Sequence, residues 1–155
     1  ANCKNANFLE VLDRLEIITE ELQNDGDVII TGDFNADFGN TVGTRGSGEI
    51  TQNGTHLLNM CTRTNLVPID MFPQCTGPVY TFFRDYTGQS YIDHFLVPEH
   101  AIGQCVNVNV IDNEMLNLSD HLPIKLTVCQ KQEVFFKNNL LKRMKQNESR
   151  GKNHP

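Results

Sequence analysis

Apolar and polar positions follow different periods in different stretches of the chain, and each period marks a different kind of element. Phe8, Val11, Leu12, Leu15, Ile18 and Leu22 recur every three or four residues, with Glu10, Asp13, Glu16, Glu20 and Glu21 between them. That spacing predicts an amphipathic helix over about 6–23, closed by Asn24-Asp25-Gly26. Val28-Ile29-Ile30 follows as a continuous β-branched run, the pattern of a strand buried on both faces. Helix, tight turn and buried strand together predict an α/β fold of sheet and helix layers.

Glycines at 39, 43, 46, 48 and 54 interrupt the next stretch, so 36–54 reads as a long surface loop. A second helix is expected over Thr55 to Arg63, burying Leu57, Leu58 and Cys61. Strands are then expected at Leu66–Asp70, Val79–Phe83, Tyr91–Val97, Val106–Ile111 and Ile124–Val128, with 85–89 as a hairpin connection. From Gln130 onward Lys, Gln and Asn dominate, and 146–155 holds no apolar residue. The chain therefore divides into a folded unit over 1–129 and a basic linker or tail over 130–155, partly helical and disordered at its end.

Charge sharpens that division. Residues 1–129 carry 6 Lys and Arg against 17 Asp and Glu, whereas 130–155 carry 7 against 2. An acidic body is a poor surface for a polyanion, because nucleic-acid affinity rests on basic contacts with phosphate. If the chain handles phosphate, metal ions or further sequence must supply positive charge. No apolar run approaches a membrane span. Residue 1 is Ala and the first twenty residues lack the order of a signal peptide, so the sequence reads as intracellular and as starting inside a longer protein. Five widely spaced cysteines with no Cys-x-x-Cys pair read as reduced thiols. The sequons at Asn53, Asn117 and Asn147 read as chance matches.

Three polar islands interrupt apolar strand ends. Thr31-Gly32-Asp33-Phe34-Asn35-Ala36-Asp37 follows the first strand. In an extended segment Asp33 and Asn35 project to one side, and a carboxylate beside an amide suits a hard divalent cation or a phosphate oxygen. The same residues also suit a plain turn. A calcium loop is excluded, since Phe38 stands where the loop needs Gly and Thr44 where it needs Glu. The second island, Tyr91-Ile92-Asp93-His94-Phe95-Leu96-Val97, is a strand with a charged pair inside it. Period two sends Asp93 to one face with Tyr91 and Phe95, and His94 to the other with Ile92 and Leu96. Asp93 then needs a partner from elsewhere, and His94 reads as structural. The third, Leu118-Ser119-Asp120-His121-Leu122-Pro123-Ile124, places Asp120 and His121 in a turn before the last strand. His121 can act as a general base or stabilise developing phosphorane charge, with Asp93 to orient it.

In this order, Gly32-Asp33-Phe34-Asn35, Tyr80-Thr81-Phe82 leading to Ile92-Asp93-His94-Phe95, and Ser119-Asp120-His121-Leu122-Pro123-Ile124 resemble the C-terminal half of the endonuclease/exonuclease/phosphatase family. The resemblance runs from about Phe8 to Val128. It implies half of a four-layer α/β/β/α sandwich of the DNase I type and a magnesium-dependent phosphoesterase, with manganese as an alternative cofactor. By the same resemblance Asp33 handles the proton of the attacking water or leaving group, Asn35 binds the scissile phosphate or the metal, and Asp93 holds the catalytic imidazole of His121. Asp120 is similar to a metal-binding Asp, and the implied metal set is Asp33, Asn35, Asp120 and His121.

The family's N-terminal half also brings an Asn and a metal-binding Glu, which have no counterpart here, so the resemblance implies an isolated chain of little activity. The islands look most like endonuclease domains of non-LTR retrotransposons. DNA is then the implied substrate, a downstream reverse transcriptase domain the implied partner, and the nucleus the implied location. A small phosphoester substrate and a non-catalytic remnant or binding module stay open as alternatives.

Overall fold

The computed structural model of the chain describes residues 3–46, 48–84, 88–112 and 117–129. The expected tail over 130–155 lies outside the described residues.

Helix α1 (Cys3–Gln23) starts slightly before its expected range. Among its described side chains Leu12 and Thr19 are buried, while Val11, Ile18 and Leu22, expected to face inward, stay about half exposed. The helix ends where Asn24 and Asp25 donate back to Glu21 and Leu22. Helix α2 (Gln52–Thr64) is longer than expected because Thr51 caps it, its hydroxyl accepting from the Gly54 N–H at 3.0 Å. Asn65, left-handed at φ 53°, closes the other end by donating to the Cys61 carbonyl. A bidentate Arg63–Glu16 pair, at 2.6 and 2.7 Å, joins the two helices.

Strands β1 (Ile30–Asp33), β2 (Leu66–Pro68) and β6 (Asp93–Pro98) form an antiparallel sheet in the order β1-β6-β2. A second sheet orders β3 (Cys75–Thr76), β7 (Cys105–Val110) and β8 (Ile124–Val128), with β3 parallel to β7 and β8 antiparallel to it. Strands β4 (Phe82–Arg84) and β5 (Gly88–Ser90) make a separate hairpin. One hydrophobic cluster links these parts: Leu57, Met60 and Cys61 of α2, Leu96 and Val97 of β6, and Val108 and Val110 of β7. Burial of roughly this kind is the main favourable term in folding.

Several expectations change. The first strand is Ile30–Asp33 rather than 28–30, it lies at a sheet edge, and Ile29 is 47% exposed, so it is not buried on both faces. Thr31, Gly32 and Asp33 belong to it because they pair with Phe95, His94 and Asp93 of β6, a tertiary pairing that overrides their weak strand preference. The segment 36–54 lies at the surface for much of its described length, as expected, but it is anchored by buried residues. Ala36 and Phe38 are fully buried, and Gly54 is packed so closely that a Cβ there would collide with the Asp37 carbonyl. Arg45, also buried, donates to the carbonyls of Cys75, Gly77 and Pro78 and lies 5.7 Å over the Tyr91 ring. This clasp ties the glycine-rich segment to β3.

The expected strand 66–70 stops at Pro68 and turns into a single 3-10 turn, Ile69–Met71. The expected strand 79–83 shrinks to β4, and 91–97 begins only at Asp93. Because Tyr91 precedes the strand, the period-two rule fails there: Tyr91 is buried with its ring 5.5 Å from that of His94 rather than sharing the face of Asp93. The cysteines divide as well. Cys61 and Cys75 are buried free thiols, burial pushing Cys61 up to about 12, whereas Cys129 is exposed. No helix among the described residues is long and apolar enough to cross a membrane.

Candidate active site

The three islands meet at one rim of the β1–β6 ladder. Asp33, the last residue of β1, stands directly opposite Asp93, the first of β6. After Asp33 the chain leaves the extended conformation: Asn35 is left-handed at φ 47°, a conformation Asn tolerates through local hydrogen bonds. Asp33 and Asn35 thus come together through a turn rather than through strand periodicity. The Asn35 N–H donates to Asp33 Oδ1 at 2.8 Å, and its side-chain amide approaches Oδ2 at 3.4 Å. Asn53, at the start of α2, donates to the Asn35 carbonyl at 2.9 Å and holds the turn from the far side.

Asp93 is anchored by its backbone. The hydroxyl of Thr81, itself fully buried, accepts from the N–H groups of both Ile92 and Asp93, at 3.1 and 3.0 Å. One residue earlier, the Asp37 carboxylate accepts the Tyr91 N–H at 3.2 Å. The Asp93 carboxylate then accepts from His121 Nδ1 at 3.0 Å. His121 reaches this position because its turn is pinned on both sides: Phe83 donates to the Asp120 carbonyl, Leu122 to the Thr81 carbonyl, and Asn117 to the His121 carbonyl. The Phe82 ring lies 5.0 Å from the imidazole. Asn53 and Asn117, both sequon asparagines, therefore spend their side-chain amides on the site.

With Nδ1 committed to Asp93, His121 Nε2 faces Asp33 Oδ2 at 3.9 Å. That is too long for a hydrogen bond but close enough for electrostatic attraction. The hydrogen bond to Asp93 raises the imidazole above its ordinary range, burial opposes this, and the charges of Asp93, Asp33 and Asp120 add to the rise. A substrate oxygen lying off the line between Nε2 and Oδ2 would be within reach of both groups.

Asp120 sits beside the dyad, about half exposed, with its carboxylate 3.5 Å from the Arg84 guanidinium. Among the described residues no three Asp, Glu, His or Cys side chains gather around a point suited to a metal ion. The donors at the rim are nevertheless hard and accessible: the carboxylates of Asp33 and Asp120 and the amide of Asn35. Such a set fits a cation that takes one or two carboxylates and completes its shell with water and phosphate oxygens, which is how magnesium is held. A cavity of about 740 Å³ opens alongside, walled by Phe8, Leu12, Leu15 and Ile30 and ending at Asp33 and Asn35.

The structure brings Asp33, Asn35, Asp93 and His121 together at this rim, with Asp120 next to His121. Sequence reasoning missed Asp37, Asp70 and Arg45, which hold the surroundings. Asp70 did carry a signal, a lone carboxylate in the apolar run 66–72, the same sign that marked Asp93.

A sequence model of a family described as endonuclease-reverse transcriptase matches residues 2–125. No curated protein matches the chain. Among solved structures, a 3′ phosphatase from Neisseria bound to a product DNA hairpin aligns with a TM-score of 0.59 at 17% identity, covering 77% of this chain and 52% of that one. A 3′-5′ exonuclease from Neisseria meningitidis aligns with a TM-score of 0.55 at 20% identity, with the same coverage. Both carry the DNase I-like exonuclease/phosphatase fold, so this chain has that fold too and spans about half the length of the solved structures it matches.

Proposed function

The chain belongs to the endonuclease-reverse transcriptase family, and on that premise we propose that it is the part of a DNA endonuclease that carries the proton-handling side of the site. The observation that carries this reading is the His121–Asp93 dyad at 3.0 Å with Nε2 turned toward Asp33.

The division of labour follows from the surroundings of each group. Asp93 and the neighbouring carboxylates favour the imidazolium form of His121, so His121 donates a hydrogen bond or proton to a phosphate oxygen as negative charge develops. Asp33 is then the proton acceptor for the attacking water. Asn35, fixed by Asp33 and Asn53, supplies an amide to orient the phosphate. When bound, a magnesium ion would be held by Asp33 and Asp120 with the Asn35 amide nearby, and would neutralise phosphate charge. In this division of labour His121 acts as the proton donor and not as a ligand, because a nitrogen that keeps its proton cannot ligate a metal.

That the chain spans about half the length of each neighbour supports low activity for the chain by itself. In a retroelement the site of action would be the nucleus; a reverse transcriptase domain in the same polypeptide would be the partner, a reading supported by the words of the family's description. Hydrolysis of a phosphate ester at a DNA end is the second reading, favoured by the descriptions of the two Neisseria proteins.

The test is nicking of supercoiled and abasic-site DNA with magnesium, with and without EDTA, by a cutting-competent protein that contains this chain. EDTA-sensitive cutting that Asp33→Asn removes supports the endonuclease. Release of phosphate from 3′-phosphorylated ends without nicking favours the second reading. Cutting that survives both Asp33→Asn and His121→Ala would sink the site.

A further inference from the structure

Asp93 and His94 are consecutive on β6, and the pleat sends them to opposite sides. Asp93 turns to the rim, whereas His94 is fully buried. Its Nδ1 lies 2.7 Å from Asp70 Oδ2, and the other oxygen of Asp70 accepts the Phe95 N–H at 2.6 Å. Its Nε2 lies 2.9 Å from the carbonyl oxygen of Ala36. A carbonyl can only accept, so Nε2 carries a proton and donates it.

Ala36 is the residue after Asn35. The backbone at His94 already pairs with Gly32, one residue before Asp33. One residue of β6 therefore holds the Asp33–Asn35 segment at both ends: by strand pairing on one side and by its ring on the other. Phe38 and Phe34, from the same segment, pack against that ring with centroids 4.6 and 6.2 Å away. Asp70, Asp37 and Tyr91 are the titratable groups that face it.

We propose that His94 is a positioning residue: its Nε2–H fixes the Ala36 carbonyl, and with it the turn that presents Asp33 and Asn35, while Asp70 fixes the ring. Its consequence for turnover rests on the phosphodiesterase reading; the tether itself does not. A histidine that merely filled the core would tolerate any replacement that filled the same space, whereas a tether depends on which ring nitrogen is replaced.

Two variants separate those cases. A glutamine amide nitrogen falls near the place of Nε2, and an asparagine amide nitrogen near that of Nδ1. His94→Gln combined with Asp70→Asn keeps a donor for Ala36 and strands no carboxylate. His94→Asn keeps the contact with Asp70 and drops the tether. In NMR spectra of the full 155-residue chain, the amide signals of Asn35 and Asp37, which bracket Ala36, should stay near their wild-type positions in the double variant. In His94→Asn they should shift and exchange with solvent about tenfold faster or more. Unchanged signals in His94→Asn, or equal perturbation in both variants, would overturn the proposal.

If neither variant folds, the wild-type chain decides. The His94 Nε2 proton should outlast that of His121 in solvent exchange, and equal exchange of the two would overturn the tether. In the DNA-cleavage assay His94→Asn should lower kcat by roughly 10- to 100-fold, with KM within about threefold, the cost of a displaced catalytic group. Asp33→Asn run beside it keeps the two ideas apart. Cutting unaffected by Asp33→Asn removes the phosphodiesterase reading and leaves the NMR result standing; cutting lost in Asp33→Asn but retained in His94→Asn overturns the positioning role.

Discussion

Two histidine–aspartate pairs draw on neighbouring residues of one strand and live in opposite surroundings. His121 and Asp93 meet at 3.0 Å with side chains 29% and 15% exposed, whereas His94 and Asp70 meet at 2.7 Å with both fully buried. In both, a carboxylate raises the histidine above its ordinary range, at His94 against a larger opposing effect of burial. Only the rim pair has a ring nitrogen turned toward open space, so only it can pass a proton to a substrate. The core pair has both nitrogens occupied. Chemical identity alone does not mark the working dyad; access to solvent and the remaining nitrogen do.

The largest expected effect breaks this comparison at the rim. In a cutting-competent protein His121→Ala should lower turnover by about two to four orders of magnitude, the range for loss of a positioned acid or base, while its melting temperature stays close to wild type. Asp70→Ala should act chiefly on stability, with turnover lowered by no more than the roughly 10- to 100-fold expected for His94→Asn. Removing one partner of a buried pair costs about 3–5 kcal/mol, to be read as a lower urea midpoint, whereas Asp93→Ala should cost below about 1 kcal/mol because a part-exposed pair is screened. If Asp70→Ala proved as mild as Asp93→Ala, the core pair would not be an ion pair.

A subtler contrast lies in pH. The imidazolium of His121 is favoured by Asp93, so Asp93→Asn should move the alkaline limb of the cleavage profile toward lower pH. For stability the sign follows from linkage. A histidine whose folded-state pKa is raised binds its proton more tightly when folded, so its contribution is complete below about 6.5 and is lost as pH climbs through the folded-state value. Wild-type protein should therefore lose stability on the alkaline side more steeply than Asp70→Asn, a comparison that thermal melts across pH can make. The smallest effect belongs to a third pair, His100 with Asp27 at 2.8 Å, both well exposed. His100→Gln should change neither melting nor cleavage measurably.

Much of the site was legible because its residues break local rules. Asp93 inside a strand and Asp120-His121 before one are costly or unexpected where they stand, and such violations point to partners elsewhere. Regular patterning was legible as well: strand 124–128 matched its structure to the residue. Where interactions are distant, the sequence was mute. Phe38 and Arg45 sit among glycines, and only the carbonyls of Cys75, Gly77 and Pro78, some thirty residues away, explain why Arg45 is buried. Strand β1 was misplaced for a related reason: Thr31, Gly32 and Asp33 become strand only because β6 lies beside them.

The ladder that seats Asp33 against Asp93 also seats Gly32 against His94. Sliding β1 by one position along its neighbour would exchange inside for outside at every residue of the strand at once. Asp33 would lose its place before the His121 ring, and the Ala36 carbonyl would move off the buried imidazole. Damage of this kind has no halfway point, so outside Asp33, Asp93 and His94 the letters of β1 and β6 are freer to change than the lengths of the two strands. Lineages that lengthen or shorten this chain can do so in connections such as 24–27, where an added residue changes no count between the two strands.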